Sequence, residues 1–329
     1  MTDSILHRIC RDRHRPRTRD VERPQPRLLR GTSLYLTIAV VGLVHGLNWP
    51  VMAHGVTLMP PEWLAAFRLG VGGIVAAVAM AGIGKLHRPV REDLPVVISV
   101  GVLQLAVVYA LMFVALTQAP AGRSAVLLHT SALWAVPIAA LFLRERYSML
   151  TVAGLVAGIC GVVLLLAPWE DGFFSSTRPF GYGLLLAGAA INAAVTVHIR
   201  SHRWTGSPLE LLPWQLGIGC LAAATYAWAS AGPPLFGLNW QVLLVVLYQG
   251  VFASAIGVWG VLAISRSLGA VSSNLSLMVV PVLGLLSSAV FLAEGLPFYV
   301  LLGLATILVG AAMGITATRA SPTPADPLG

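Results

Sequence analysis

The chain has 329 residues, of which 57% are hydrophobic and 10% are charged, whereas about 25% of an ordinary soluble domain is charged. This composition excludes a soluble globular protein, because too few polar side chains are present to cover a core. The formal net charge of +8 does not indicate a nucleic-acid partner, because nine of the arginines lie in the first 30 residues and no recognition fold accompanies them. We expect residues 1–30 to form a disordered, Arg-rich cytosolic tail.

Apolar runs between charged and turn-forming residues predict ten transmembrane helices. Each crossing of a hydrocarbon layer roughly 30 Å thick needs about 20 apolar residues. In chain order the predicted helices are 33–53, 62–81, 94–116, 121–143, 148–167, 180–199, 209–229, 240–264, 270–292 and 297–316. The predicted fold class is therefore an all-α integral membrane protein.

The distribution of basic residues predicts the orientation of these helices. With the amino terminus inside, 18 of the 21 Lys and Arg residues fall in the tails and the inner loops. Positive charge resists translocation, so this orientation is self-consistent. We expect a multi-pass protein of the cell inner (plasma) membrane with both termini in the cytosol.

The second half of the chain repeats the first. A shift of 149 residues superimposes Gly101 on Gly250 and Ser124 on Ser273, among other matches. Five crossings per copy is an odd number, so the two copies are predicted to be inverted, as in many transporters. The predicted units are residues 31–168 and 169–317, followed by a short cytosolic tail at 318–329.

Three ordered motifs carry a family resemblance over roughly residues 33–316. They are His45-Gly46-Leu47-Asn48-Trp49 in the first helix, Pro60-Pro61 followed by Phe67-Arg68 in the second, and the segment from Leu143 through Gly161, repeated from Glu294 to Gly310. Together they resemble the EamA type of the drug/metabolite transporter superfamily. The resemblance implies transport of a small solute, with helices one, three, four, six, eight and nine around a central cavity.

Polar and aromatic side chains at membrane depth are the candidate solute-binding residues, because polar groups there are costly. The alternative for each is a hydrogen bond between helices. The candidates are His45, Asn48, Trp49, Arg68, Gln104, Tyr109, His129, Trp134, Asn192, Thr196, Gln249, Trp259 and Asn274.

Arg68 is the only Lys, Arg, Asp or Glu predicted to lie well within a span. It is about 10 Å below the outer end of the second helix. It either attracts a carboxylate or extends towards the outer headgroups. No Asp or Glu lies in the middle of a predicted span, so a desolvated cation would lack a counter-charge. The sequence therefore favours export of a small solute with a carboxylate, such as an amino acid.

Proton carriage by His129 or His198 stays open.

A multidrug exporter of lipophilic compounds is the alternative function. An intramembrane enzyme is disfavoured, because the sequence lacks paired membrane aspartates and a His-Glu-x-x-His site. No cofactor or metal is predicted. The expected partners are a small molecule and the lipid bilayer. The glycines of helices five and ten favour close packing within the chain, and a homodimer through them stays open.

Overall fold

The computed structural model describes residue 29 and residues 31–143, 147–202, 204–237, 239–268 and 270–320. The helices are α1 (Thr32–Leu58), α2 (Pro61–Gly82), α3 (Arg91–Leu116), α4 (Ala121–Leu128 and Ser131–Phe142), α5 (Met149–Leu166), α6 (Arg178–Ser201), α7 (Pro208–Ala231), α8 (Trp240–Leu247, Tyr248–Ile256 and Gly257–Ser267), α9 (Ala270–Leu277 and Val279–Leu292) and α10 (Phe298–Ala320).

Eight helices in the described part of the chain are long and apolar enough to cross a membrane. They are α1 to α6, α8 and the part of α9 at Leu275–Leu292. This confirms an all-α, multi-pass membrane protein. The helices α7 and α10 fall outside that set, so ten crossings remain a prediction. The first helix was predicted too short, because it continues through Pro50 to Leu58.

One end of the helix bundle, called here the Glu170 end, is held by charged side chains. Arg123 and Arg178 approach the Glu170 carboxylate at 2.6 and 3.0 Å, and the Tyr299 hydroxyl also donates to it. Partial burial raises the pKa of Glu170, but the hydrogen bonds from Arg123 and Tyr299 and the two positive charges lower it more. The net pKa therefore lies below the usual value of glutamate. Glu294 caps the first two amides of α4 at the same end.

The opposite end, called here the Asp93 end, joins the start of α3 to the loop before α7. The Asp93 carboxylate accepts hydrogen bonds from the amides of Thr205 and Gly206, the former at 2.7 Å. Trp214 of α7 donates its indole N–H to the carbonyl of His87 at 2.8 Å. These contacts fasten residues of the first half of the chain to residues of the second.

Glycines allow α5 and α10 to touch along their length. A Cβ added to Gly154 would lie 2.6 Å from the Gly310 carbonyl oxygen, and one added to Gly161 would lie 2.8 Å from the Gly303 carbonyl oxygen. Backbones this close tolerate no side chain between them. The predicted packing of these glycines within the chain is confirmed.

Two irregular features recur at the spacing of the sequence repeat. Nine-residue π-helical segments occupy Ser99–Val107 in α3 and Tyr248–Ile256 in α8. The interruptions of α4 after Leu128 and of α9 after Leu277 recur at the same offset of 149 residues. π-Helical turns are rare and often occur at functional sites, so these two segments mark candidate positions for a site.

Candidate functional site

Arg68 of α2 lies at the centre of a buried polar cluster. Its Nε donates to the Ser254 hydroxyl at 3.1 Å and its Nη1 donates to the Gln249 side-chain carbonyl at 2.9 Å. Its Nη2 is 3.3 Å from the Tyr109 hydroxyl, and its guanidinium carbon is 4.2 Å from the centre of the Tyr109 ring. Met52 completes the cluster, with its sulfur 3.4 Å from Nη1. We call these five residues the Arg68 cluster.

The π-helical segment of α8 brings two of these acceptors to Arg68. Gln249 and Ser254 are five residues apart, and the Ser254 hydroxyl donates to the Gln249 backbone carbonyl at 2.9 Å. Both therefore lie on one face of the widened helix, which α2 contacts through Gly72. A wider turn at this position aligns side chains that a regular α-helix would place about 140° apart around its axis.

The contacts that the structure describes for Arg68 are all with uncharged groups. Arg68 is 3% exposed, so water screens its charge poorly, and a guanidinium at membrane depth costs several kcal/mol without compensation. Hydrogen bonds to neutral acceptors and the Tyr109 ring offset part of that cost. An anion in contact with the guanidinium would offset more of it, so the cluster is electrostatically suited to a carboxylate.

Two polar atoms beside this charge lack hydrogen-bond partners in the described structure. They are the side-chain nitrogen of Gln249 and the side-chain oxygen of Asn48. Asn48 donates to the same Met52 sulfur that Arg68 approaches, at 3.3 Å. Buried polar groups are normally paired, so a free donor and a free acceptor next to Arg68 favour a polar ligand.

The remaining candidates on α1 lie close to this cluster. His45 contacts Gly257 of α8, where an added Cβ would lie 2.5 Å from its ring. Trp49, which is almost fully buried, packs against His129 of α4 with ring centres 6.4 Å apart. The Nδ1 of each histidine lies within hydrogen-bonding distance of the carbonyl one turn earlier in its own helix.

A cavity of about 620 Å³ lies between α4, α5, α6, α9 and α10, and we call it the polar cavity. It extends from His129, where α4 is interrupted, to Arg200 near the end of α6. Thr196, one turn before Arg200, also lines it. The polar cavity therefore reaches from the middle of the bundle towards the Asp93 end. Its polar lining consists of His129, Ser131, Tyr147, Thr151, Thr196 and Arg200.

Other predicted site residues are not brought into this arrangement. Gln104, Trp134 and Trp259 are not among the residues that line the two cavities described, and both tryptophans are substantially exposed. Asn192 has a buried, unpaired side-chain oxygen one turn from Thr196. The side chain of Asn274 lies outside the described part of the chain.

Sequence reasoning left three relevant residues out of its candidate list. Met52 gives no polar signal. Tyr147 and Arg200 fell in the inner segments between predicted helices, although both line the polar cavity. In the part of the chain that the structure describes, no group of three or more His, Cys, Asp or Glu side chains could hold a metal ion.

A second cavity, of about 530 Å³, lies towards the Glu170 end between α2 and the start of α8, and we call it the apolar cavity. It is lined by Phe67, Phe236, Asn239, Trp240, Val242, Leu243 and Val246. An aromatic and aliphatic lining with a single amide suits an apolar group better than a charged one.

Comparison with known proteins gives consistent matches. The profile of the EamA-like transporter family matches residues 32–167 and again residues 179–316. "Uncharacterized transporter YvbV" of Bacillus subtilis is 27% identical, over 88% of this chain and 93% of that protein. "Probable amino-acid metabolite efflux pump" of Salmonella typhimurium is 28% identical, over 84% of this chain and 92% of that protein.

A solved crystal structure also matches, with a TM-score of 0.58 and 23% identity. The match covers 86% of this chain and 98% of that chain. At this level of identity the likeness concerns the fold alone.

Proposed function

Because the chain belongs to the EamA-like transporter family, we propose that it exports small metabolites that bear a carboxylate, with amino acids and their relatives as the leading candidates. The similarity to a protein named as an amino-acid metabolite efflux pump supports this class of solute. Transport, rather than catalysis, is the activity that the matching family and relatives indicate.

The observation that carries the proposal is the Arg68 cluster. A buried guanidinium with neutral partners, next to the unpaired Gln249 nitrogen, can bind a carboxylate through charge-assisted hydrogen bonds. We infer that the helices do not depend on the cluster for their contact. The corresponding contact of α3 with α7 forms through Gly101 and Gly219, and Gln215 stands there at the position equivalent to Arg68.

We propose that transport proceeds by alternating access between two inverted five-helix units, residues 31–168 and 169–317. The two matches of the family profile and the repeated π-helical segments support this arrangement. Because the Arg68 cluster joins α2 of the first unit to α8 of the second, relative motion of the units would open and close access to it.

We further propose that the protein lies in the cell inner (plasma) membrane with the Asp93 end and both termini in the cytosol. The excess of Lys and Arg in the loops of that end supports this orientation. Single cysteines at Gly172 and Gly206, labelled by a membrane-impermeant thiol reagent on intact cells, test it. Labelling is expected at position 172, and labelling at position 206 alone would reverse the orientation.

Everted membrane vesicles test the proposed solute class. Vesicles that contain the protein should accumulate labelled amino acids, and Arg68→Gln should reduce uptake by at least about tenfold, because the carboxylate loses its charged partner. Val163→Ala, at an exposed position of α5, is the control and should leave uptake unchanged. The amount of folded protein is measured for each variant by size-exclusion chromatography in detergent.

The apolar cavity supports one competing function, export of lipophilic compounds. Its lining by Phe67, Phe236 and Trp240 could hold a flat apolar molecule through aromatic contacts. Dye efflux that is unaffected by Arg68→Gln and lost in Phe67→Ala, together with no amino-acid flux, would replace the carboxylate proposal with this one.

A further inference from the structure

The first turn of α4 is held by two carboxylates from the second half of the chain. Glu294 accepts hydrogen bonds from the amides of Ala121 and Gly122 at 2.6 and 2.9 Å. Glu170 accepts a hydrogen bond from the Arg123 guanidinium at 2.6 Å. We call these five residues the α4 clasp. It joins the two proposed units, because α4 belongs to the first unit and both carboxylates belong to the second.

The α4 clasp lies between the polar cavity and the Glu170 end. Val126 lines this cavity, and it follows Arg123 by three residues, which is less than one helical turn. In the other direction the lining extends to Arg200, near the Asp93 end. The helices α4, α6 and α9 around this space are among those that the family resemblance places around the central cavity. The clasp therefore stands across one end of the space in which a solute would lie.

The backbone that carries both carboxylates is in an uncommon conformation. Ala167 and Ala293 have φ values of 48° and 53°, and they are the non-glycine residues with positive φ in the part of the chain that the structure describes. Ala293 directly precedes Glu294, and Ala167 lies three residues before Glu170. A left-handed residue at the end of a helix is common but is usually Gly. Alanine in this conformation is strained and is held by its surroundings, as is typical of switch regions.

The α4 clasp differs from the contact of α5 with α10, which also joins the two units. Around Gly154 and Gly310 the two backbones leave no room for a side chain, so α5 and α10 cannot separate without losing that packing. The clasp consists of charged groups instead. The side chains of Arg123 and Glu170 are 11% and 18% exposed, so water can solvate them once they part. The clasp is therefore the contact between the units that is suited to open.

We infer that the α4 clasp is a gate: it closes the polar cavity towards the Glu170 end in this structure, and it opens in each transport cycle to release the solute on that side. The contact of α5 with α10 persists and serves as the pivot. This inference rests on the proposed function for the existence of a transport cycle, but closure of the cavity by the clasp does not depend on which solute is carried.

Thiol labelling tests the gate without a transport assay. A variant in which Cys10, Cys160 and Cys220 are replaced by Ser receives Ser131→Cys, a nearly isosteric change in the lining of the polar cavity. A membrane-impermeant methanethiosulfonate reagent is applied to right-side-out and to everted vesicles. A separate Gly172→Cys variant identifies which side of the membrane is the Glu170 end.

We expect Ser131→Cys to react slowly from the side of the Glu170 end. Glu294→Gln and Glu170→Gln should each raise that rate by at least about tenfold, because a neutral amide binds the α4 amides or Arg123 more weakly than a carboxylate does. The control is Glu210→Gln, since Glu210 caps the start of α7 at the opposite end, and its rate should not change.

Size-exclusion chromatography in detergent establishes which of these variants are folded, and one folded clasp variant is enough for the test. A labelling rate that rises in no folded clasp variant, or that rises equally in Glu210→Gln, would overturn the inference.

A disulfide beside the α4 clasp should lock the gate. A Cβ added to Gly181 of α6 would lie 3.2 Å from the Cβ of Ala119, in the loop before α4, slightly closer than the roughly 3.5–4.5 Å of a disulfide. In the background without native cysteines, oxidation of the double variant Ala119→Cys, Gly181→Cys should reduce amino-acid uptake by at least about tenfold, and a reductant should restore it. Each single variant is a control and should not respond to the oxidant.

The two measurements separate this inference from the proposed function. Full uptake by the cross-linked variant would overturn the gate and leave the carboxylate proposal intact. Absence of amino-acid uptake in the unmodified protein, with the labelling as expected, would instead refute the proposed cargo and retain the gate.

Discussion

The contact between α2 and α8 and the contact between α3 and α7 have similar backbone geometry and different chemistry. In each, a π-helical segment packs against glycines of the partner helix: Gly250 against Gly72 in the first, and Gly101 against Gly219 in the second. The first contains the Arg68 cluster. In the second, the equivalent positions hold an amide and aliphatic side chains, namely Gln215 for Arg68, Val100 for Gln249 and Leu105 for Ser254.

This difference distinguishes the glycines, which bring the helices into contact, from the Arg68 cluster, which we propose binds the solute. Because the contact of α3 with α7 forms through glycines and a π-helical segment, we expect that the contact of α2 with α8 does not require the guanidinium. A buried charge at membrane depth is costly, which is why we propose a functional role for Arg68.

The largest expected effect comes from moving the charge to the other contact. Gln215→Arg would place a guanidinium at the buried position equivalent to Arg68, where Val100 and Leu105 replace the acceptors Gln249 and Ser254. An uncompensated buried charge costs about 3–5 kcal/mol, so the yield of folded protein and its melting temperature in detergent should both fall sharply. Gln215→Leu is the control and should remain folded. Normal stability of Gln215→Arg would mean that the two contacts do not differ in polarity.

The reverse exchange should abolish transport without unfolding the protein. The triple variant Arg68→Gln, Gln249→Val and Ser254→Leu gives the first contact the residues of the second. Carboxylate uptake should fall by at least about 100-fold, roughly 2.7 kcal/mol, while the melting temperature stays within a few degrees. A variant that unfolds would show that the cluster is structural, and one that transports normally would remove it from the site.

Added methyl groups should weaken both contacts equally. Gly101→Ala would place Cβ 2.7 Å from the Gln215 carbonyl oxygen, and Gly250→Ala would place it 2.5 Å from the Val71 side chain. Overpacking of this kind costs about 1–3 kcal/mol, which thermal unfolding in detergent would detect. Gly217→Ala, with open space around the new methyl group, is the matched control. A loss of stability in only one of these two variants would contradict the equivalence of the two contacts.

The smallest expected effect is a dependence on pH that arises outside both contacts. The pKa of Glu170 is lower than that of an unfolded glutamate, about 4.3. Its contribution to stability is therefore complete above that value and is lost as the pH falls through the lower folded-state pKa. Thermal unfolding measured between about pH 6 and 3 should show the free energy of unfolding falling by less than about 1 kcal/mol from this source. The Glu170→Gln variant should show a smaller fall over the same range. An equal loss in Glu170→Gln would assign the effect to other carboxylates.

The sequence by itself determined the helices and the repeat. The length of an apolar run is set by the thickness of the bilayer, so the predicted bounds lie within a few residues of the observed ones, apart from the end of α1 at Leu58. The offset of 149 residues was readable from Gly101 and Gly250, and the two π-helical segments recur at that offset. Arg68 was also identifiable, because a charge inside an apolar run is conspicuous.

Only the tertiary structure decided which side chains meet. Gln249 and Ser254 reach Arg68 from 181 and 186 residues away, and the polar cavity is lined by residues of five helices that are far apart in the sequence. Trp134 and Trp259 were selected by the same reasoning as Tyr109, yet only Tyr109 joins the cluster. The physical reason is that lipid tails are as apolar as the helix surfaces. Hydrophobicity therefore places each helix in the membrane, while close packing between helices selects its neighbours and its rotation.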